Sequence, residues 1–178
     1  MKPGSKAFII DAQGRQKIMP FLKSVSDSLI WIPKRDDRQY TIGDVIIVSS
    51  FRVNTEIKTE KVNPFGNLFL EEWSNRKKKI HGWMYNLDKC HVLIYNFLNS
   101  DECYGFPFQK TKEWFMKNKE RFVLKEQNKY SQHNDSWGRL VPIDVLIQEV
   151  GMLHFPLYNP AWQEKWNQLI EGIENASS

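Results

Sequence analysis

Cysteine is scarce in this 178-residue chain, and the two present, Cys90 and Cys103, lack metal-ligand spacing. A disulfide scaffold is therefore excluded, and both read as reduced thiols of a cytosolic protein. The four histidines, His81, His91, His133 and His154, are scattered. Their spacing fits neither a zinc site nor a histidine-metal nuclease, and His133 reads as a loop histidine. No phosphate-cradling glycine loop, dinucleotide fingerprint or nucleophile-elbow serine occurs, which removes the common nucleotide-binding and acyl-transfer schemes. No apolar run approaches the ~20 residues of a membrane span. Behind the basic start Met1-Lys2-Pro3-Gly4-Ser5-Lys6 stand only Ala7-Phe8-Ile9-Ile10. No signal peptide is expected, and the protein is expected to be cytoplasmic with no membrane partner. Internal repeats and low-complexity tracts are absent as well.

What the chain does have is aromatic mass: 13% Phe, Trp and Tyr, with seven tryptophans. At this length a single domain spanning 1–178 with a sizeable core is expected. Net charge is +4 with a pI near 9.0, which favours polyanionic partners. Periodicity predicts an opening helix over residues 9–25, with Ile10, Ile18, Phe21, Leu22 and Val25 on one side and a disturbance at Pro20. A strand follows over 29–32, then a charged loop over 33–40. Its Lys34, Arg35 and Arg38 are candidate phosphate contacts. Further strands are predicted over 44–49, 52–59 and 67–73, with a turn at Asn63-Pro64-Phe65-Gly66 between the last two.

Arg76-Lys77-Lys78-Lys79 is the most basic run in the chain. Four adjacent cations repel one another, so the run must be exposed, and it is a second candidate phosphate contact. A short helix is expected over 82–87. The near-continuous apolar stretch 92–98 reads as a central strand covered on both faces. A helix over 108–118 should carry Lys110, Lys112, Lys117 and Lys119 outward and Trp114 and Phe115 inward, and 127–136 should be a polar loop. Asn159-Pro160 is a helix start, and Trp162, Trp166, Leu169 and Ile173 recur at helical spacing. The C-terminal helix, about 159–175, is therefore expected to pack on a core spanning about 8–150.

The chemistry centres on one hairpin. Asp44 opens the apolar run Val45-Ile46-Ile47-Val48; Ser49-Ser50 breaks it, and a second strand runs on to Glu56-Ile57-Lys58. Antiparallel pairing brings Asp44 and Glu56 to the same end of the sheet. Alternation sends Glu56 and Lys58 to one face and Ile57 to the other. Acids at the end of such apolar strands sit at the edge of a core and call for a partner or a metal. Two carboxylates and one ammonium converging there can hold a hard divalent cation.

Gly43-Asp44 followed by Glu56-Ile57-Lys58 resembles the PD-(D/E)XK nuclease superfamily. The preceding helix, the apolar stretch Gly66-Asn67-Leu68-Phe69-Leu70-Glu71, Gly82-Trp83-Met84, the strand from His91 to Leu98 and Trp137-Gly138-Arg139-Leu140-Val141-Pro142-Ile143 are similar to its small phage and bacterial members, over roughly residues 8–150. Gly43 stands where the family commonly has proline. The resemblance implies an α/β, restriction-endonuclease-like fold: a mixed central β-sheet flanked by helices. It implies a metal-dependent endonuclease that hydrolyses DNA phosphodiester bonds, with catalytic Asp44, Glu56 and Lys58. Mg2+, for which Mn2+ can substitute, would be held by Asp44, Glu56 and the Ile57 backbone carbonyl. Auxiliary ligands would come from Asp11, Gln16, Glu71 or Glu72, and DNA would meet Lys34, Arg35, Arg38 and Arg76, Lys77, Lys78, Lys79. One site cuts one strand, so double-strand cleavage would take a homodimer. The alternative is a catalytically silent module that keeps the nuclease fold and binds DNA or protein.

Overall fold

The computed structural model describes residues 6–34, 36–127, 135–155, 157 and 161–177. Within them the chain is mixed α/β, with four α-helices and two sheets. Helix α1 (Lys6–Ser24) leads into β1 (Ser28–Trp31), β2 (Val45–Val48) and β3 (Arg52–Glu60). Then come β4 (Asn67–Asn75), β5 (Ile80–His81), β6 (Val92–Phe97) and β7 (Cys103–Pro107), followed by α2 (Phe108–Asn118). The remainder is β8 (Leu124–Glu126), β9 (Trp137–Pro142), α3 (Ile143–Val150), β10 (Leu153–His154) and α4 (Trp162–Ser177). Among the described residues no helix is long and apolar enough to cross a membrane.

The larger sheet has the order β1-β2-β3-β6-β7-β10 and is mixed. Only β3 and β6 run parallel within it; the other neighbours are antiparallel. The predicted β2–β3 hairpin is present, with Val45 opposite Thr55 and Val48 opposite Arg52. Strand β6 takes the place beside β3 because all six of its residues are buried, which suits a strand covered on both faces. Leu93, Tyr95 and Phe97 face one core and Val92 and Ile94 the other.

Those two cores cover the two sides of the sheet. On one side α1 and α4 pack through Ile18, Phe21, Leu22, Trp166, Leu169 and Ile170. Phe21 meets Trp162 and Trp166 edge-on, at 5.1 and 5.7 Å between ring centroids, so the tryptophan pair of the C-terminal helix packs into the body. Gly14 lets α1 lie directly on β3, since a Cβ there would collide with the Thr59 side chain. The helix runs through Pro20 without ending; the carbonyl deprived of its donor belongs to exposed Gln16. The start predicted for α4 at Asn159-Pro160 lies outside the described residues.

The other side carries three corrections to the predicted layout. Strand β4 leaves the central sheet and forms an antiparallel second sheet, ordered β5-β4-β9-β8. It carries Glu71 and Glu72, which a strand in the sheet centre could not bury on both faces. The second correction is at residues 82–87, which form turns in place of a helix. Backbone donors there go outward, Met84 to the Glu71 carbonyl and Leu87 to the Tyr40 carbonyl, leaving no helical ladder. The third concerns α2, whose Phe115 is fully buried while Trp114 is only partly so and donates through its indole to Glu149 at 2.9 Å. Lys119 is also not outward: it donates to Glu72 and to the Tyr85 hydroxyl at 2.5 and 2.8 Å.

Candidate functional site

Asp44 sits one residue before β2, where the chain bends through Gly43 at φ +109°. A Cβ on Gly43 would stand 2.7 Å from the Thr55 carbonyl oxygen and 2.9 Å from the Glu56 nitrogen. Only glycine tolerates both the dihedral and that approach, and proline, fixed near −65°, could not adopt it.

Because β2 begins opposite Thr55, the edge of β3 beyond it is open on that side. The Ile57 N–H points there and donates to Asp44 Oδ2 at 3.1 Å. Within a strand the N–H and C=O of one residue share a direction, so the Ile57 carbonyl faces the same open edge. Asp44 Oδ1 accepts from Arg15 on α1 at 2.6 Å and from Gln39 at 3.1 Å. Arg15 also lies 5.3 Å over the Trp31 ring and 3.5 Å from Asp11. Asp44 is 6% exposed, so these donors replace the water it has lost.

Glu56 and Lys58 stand opposite Leu93 and Tyr95 of β6, on the face that looks toward the second sheet. The Lys58 ammonium is 2.5 Å from Glu56 Oε1 and 5.2 Å over the Trp83 ring. Burial lifts the Glu56 carboxyl to about 7; Lys58 pulls it down and the charge of Asp44 pushes it up further. Burial opposes the charge on Lys58, but Glu56, Asp44 and Glu71 together outweigh it and hold the amine protonated. Each member of the triad thus lies within electrostatic reach of the other two.

The auxiliary candidates separate cleanly. Glu71 lies on the side of Lys58; its carboxylate accepts from the Trp83 amide at 3.2 Å and from the Ser136 hydroxyl at 2.6 Å. Glu72 points the other way and is buried against Arg139 and Lys119, at 2.8 and 2.5 Å. It belongs to a structural ion network with those two cations. Asp11 is tied to Arg15 and Lys34. Gln16 is exposed on α1 and is not among the groups bonded to Asp44.

Of the candidate phosphate contacts, Lys34 pairs with Asp11 and lies 4.7 Å over the Phe8 ring. Arg38 clasps Asp36 with both ends of its guanidinium, at 3.0 and 2.7 Å. Arg35 lies outside the described residues, as does His133. Arg76, Lys77, Lys78 and Lys79 form the exposed tip of the β4–β5 hairpin, with Arg76 4.5 Å over the Trp137 ring. Asp135 secures the tip by accepting from the Lys77 amide at 2.6 Å. The tip starts five residues along β4 from Glu71, roughly 16 Å at ~3.3 Å per residue. Arg15 and Gln39 were not singled out from the sequence, and Trp83 entered only as part of Gly82-Trp83-Met84; the one available hint for Arg15 is its i+4 spacing from Asp11 on α1.

No family model, curated protein or solved structure matches the chain. Among the described residues no group of three or more His, Cys, Asp and Glu side chains is arranged to hold a metal ion. A cation at this site would rest on two carboxylates and the Ile57 carbonyl, with its other positions open to water or phosphate.

Proposed function

We propose that this chain is a metal-dependent endonuclease with a restriction-endonuclease-like fold that hydrolyses DNA phosphodiester bonds. The observation that carries this reading is the grouping of Asp44, Glu56 and Lys58 around the open end of β3, each influencing the others' charge. The donors suit Mg2+ or Mn2+: all are oxygens, Glu56 keeps one carboxylate oxygen outside its pair with Lys58, and the Ile57 carbonyl faces the open edge. When bound, the ion supplies Lewis-acid polarisation of a phosphoryl oxygen and acidifies water. Asp44, Glu56 and Ile57 hold that charge in place. Lys58, kept protonated, offsets the negative charge that builds on the phosphate in the transition state. The basic tip at Arg76, Lys77, Lys78 and Lys79 would anchor the polyanion some way from the scissile bond, making binding salt-dependent.

Supercoiled plasmid at low salt, with and without Mg2+, tests this. Wild-type protein should nick or linearise it only with the metal, and Asp44→Ala and Glu56→Ala should leave it intact while keeping the wild-type circular dichroism. Lys58→Ala should cut about a hundredfold more slowly, the scale of one lost transition-state contact. Cutting by either carboxylate variant at the wild-type rate would reject the assignment.

A second reading, a silent binding module on the same fold, is favoured by one observation. Asp44 already accepts from Arg15, Gln39 and the Ile57 amide, and Glu56 is paired with Lys58, so the acids are satisfied internally. Plasmid that is retarded on a gel yet uncut under every metal condition would select it.

A further inference from the structure

We propose that Trp83 is a positioning residue that holds the Lys58 ammonium in the site from the side of the second sheet; its catalytic consequence rests on the nuclease reading above. Lysine carries its charge on a flexible four-carbon stem, and one carboxylate partner at a partly exposed position restrains it weakly. Here the side chain is 28% exposed and has Glu56 beside it. The indole face of Trp83 lies 5.2 Å from the ammonium, and an aromatic face attracts a partly desolvated cation.

The ring is itself fixed at several points. Its backbone amide donates to Glu71 Oε2 at 3.2 Å, and Glu71 is held at its other oxygen by Ser136. Gly82, the residue before it, lies so close that a Cβ would stand 2.5 Å from the Glu71 carbonyl oxygen. The ring packs on the core beside Phe108, at 6.3 Å between centroids. Glu71 thus does two things: it anchors the Trp83 backbone, and its charge helps keep Lys58 protonated. A tryptophan serving only as core filler would need no cation over its face.

The test uses the full chain with isotope-labelled lysine, and variants Trp83→Leu and Trp83→Phe. By NMR, the Lys58 ε-methylene signals, assigned by their loss in Lys58→Arg, should lie upfield of the other lysines because of the indole ring current. They should stay upfield in Trp83→Phe and return to the common position in Trp83→Leu. In plasmid cleavage, Trp83→Leu should lower kcat about tenfold with little change in KM, and Trp83→Phe should restore most of it. Lys58 signals that are unshifted in wild type, or unmoved in Trp83→Leu, would overturn the proposal. Cleavage by Trp83→Leu at the wild-type kcat would overturn it equally. Should wild-type protein fail to cut at all, the nuclease reading fails, and the NMR comparison still decides whether Trp83 holds Lys58.

Discussion

Replacing Glu56 with glutamine should change how the stability of this protein depends on pH. Glu56 is 8% exposed, and burial raises its carboxyl from 4.5 to about 7. An acid whose folded value lies above its unfolded value binds more protons when folded. Its contribution is therefore intact below about 4.5, and stability falls as pH rises toward about 7. A shift of that size corresponds to roughly 3 kcal/mol. Other groups titrate in the same window: burial lowers His91, which makes stability rise with pH, and burial raises Glu60 against its bond from Tyr95. Both are common to the two proteins, and Lys58 stays protonated throughout, so losing its partner adds only a constant offset. Urea unfolding followed by tryptophan fluorescence, in chelator from pH 4.5 to 8, gives the two curves. The stability of Glu56→Gln relative to wild type should climb by roughly 3 kcal/mol across that range. Parallel curves would refute the claim that Glu56 is held in a desolvated, acid-crowded position. In the same assay, excess Mg2+ should flatten the wild-type fall, because an ion that binds the ionised carboxylates favours the folded state.

Gly43→Ala should destabilise the fold by at least ~1–3 kcal/mol, the cost of the dihedral alone, with the clash against Thr55 added; a loss in urea unfolding below about 0.5 kcal/mol, the scale of an ordinary surface change, would mean that the bend is not as tight as described. Glu72→Ala should cost about 3–5 kcal/mol, because it leaves Arg139 and Lys119 without their buried partner. At a temperature where that variant is still folded, its rate of plasmid cleavage should match wild type, and a selective loss of turnover would return Glu72 to the list of site residues.

Elements governed by neighbouring residues were readable in advance. The hairpin follows from two apolar stretches flanking Ser49-Ser50, and α2 starts and stops where its periodicity does, at Phe108 and Asn118. What escaped the sequence depends on contacts between distant segments. Whether Glu71 or Glu72 faces the triad is set by which sheet β4 joins, and nothing within residues 67–75 declares that it pairs with β9. The turns at 82–87 follow from contacts with distant segments: their backbone donors are claimed by Glu71 and Tyr40. Arg15 reaches Asp44 across 29 positions, and Trp83 reaches Lys58 from the turns that follow β5. No local pattern encodes either contact. Of the site, the triad was legible because it lies on one hairpin, and its surrounding charges were not.

The bend at Gly43 ties these features together. Bending the chain at φ +109° delays the start of β2 to the residue after Asp44 and turns Asp44 alongside β3, so that its carboxylate takes the place a further strand residue would have occupied. The Asp44 side chain then accepts from the Ile57 amide where backbone would otherwise have done so, and the Ile57 carbonyl is left facing the open edge. A straight extension of β2 would have set Asp44 opposite Glu56 and Gly43 opposite Ile57, where backbone would have paired both groups. The same bend brings Asp44 close enough to Glu56 to raise its carboxyl, a cost in stability that the fold tolerates because Arg15 and Lys58 approach the acids from opposite sheet faces. The charged cluster is thus a consequence of one backbone irregularity beside two apolar strands, and its balance of acids and cations leaves the two carboxylates mutually close, with one cation paired to each.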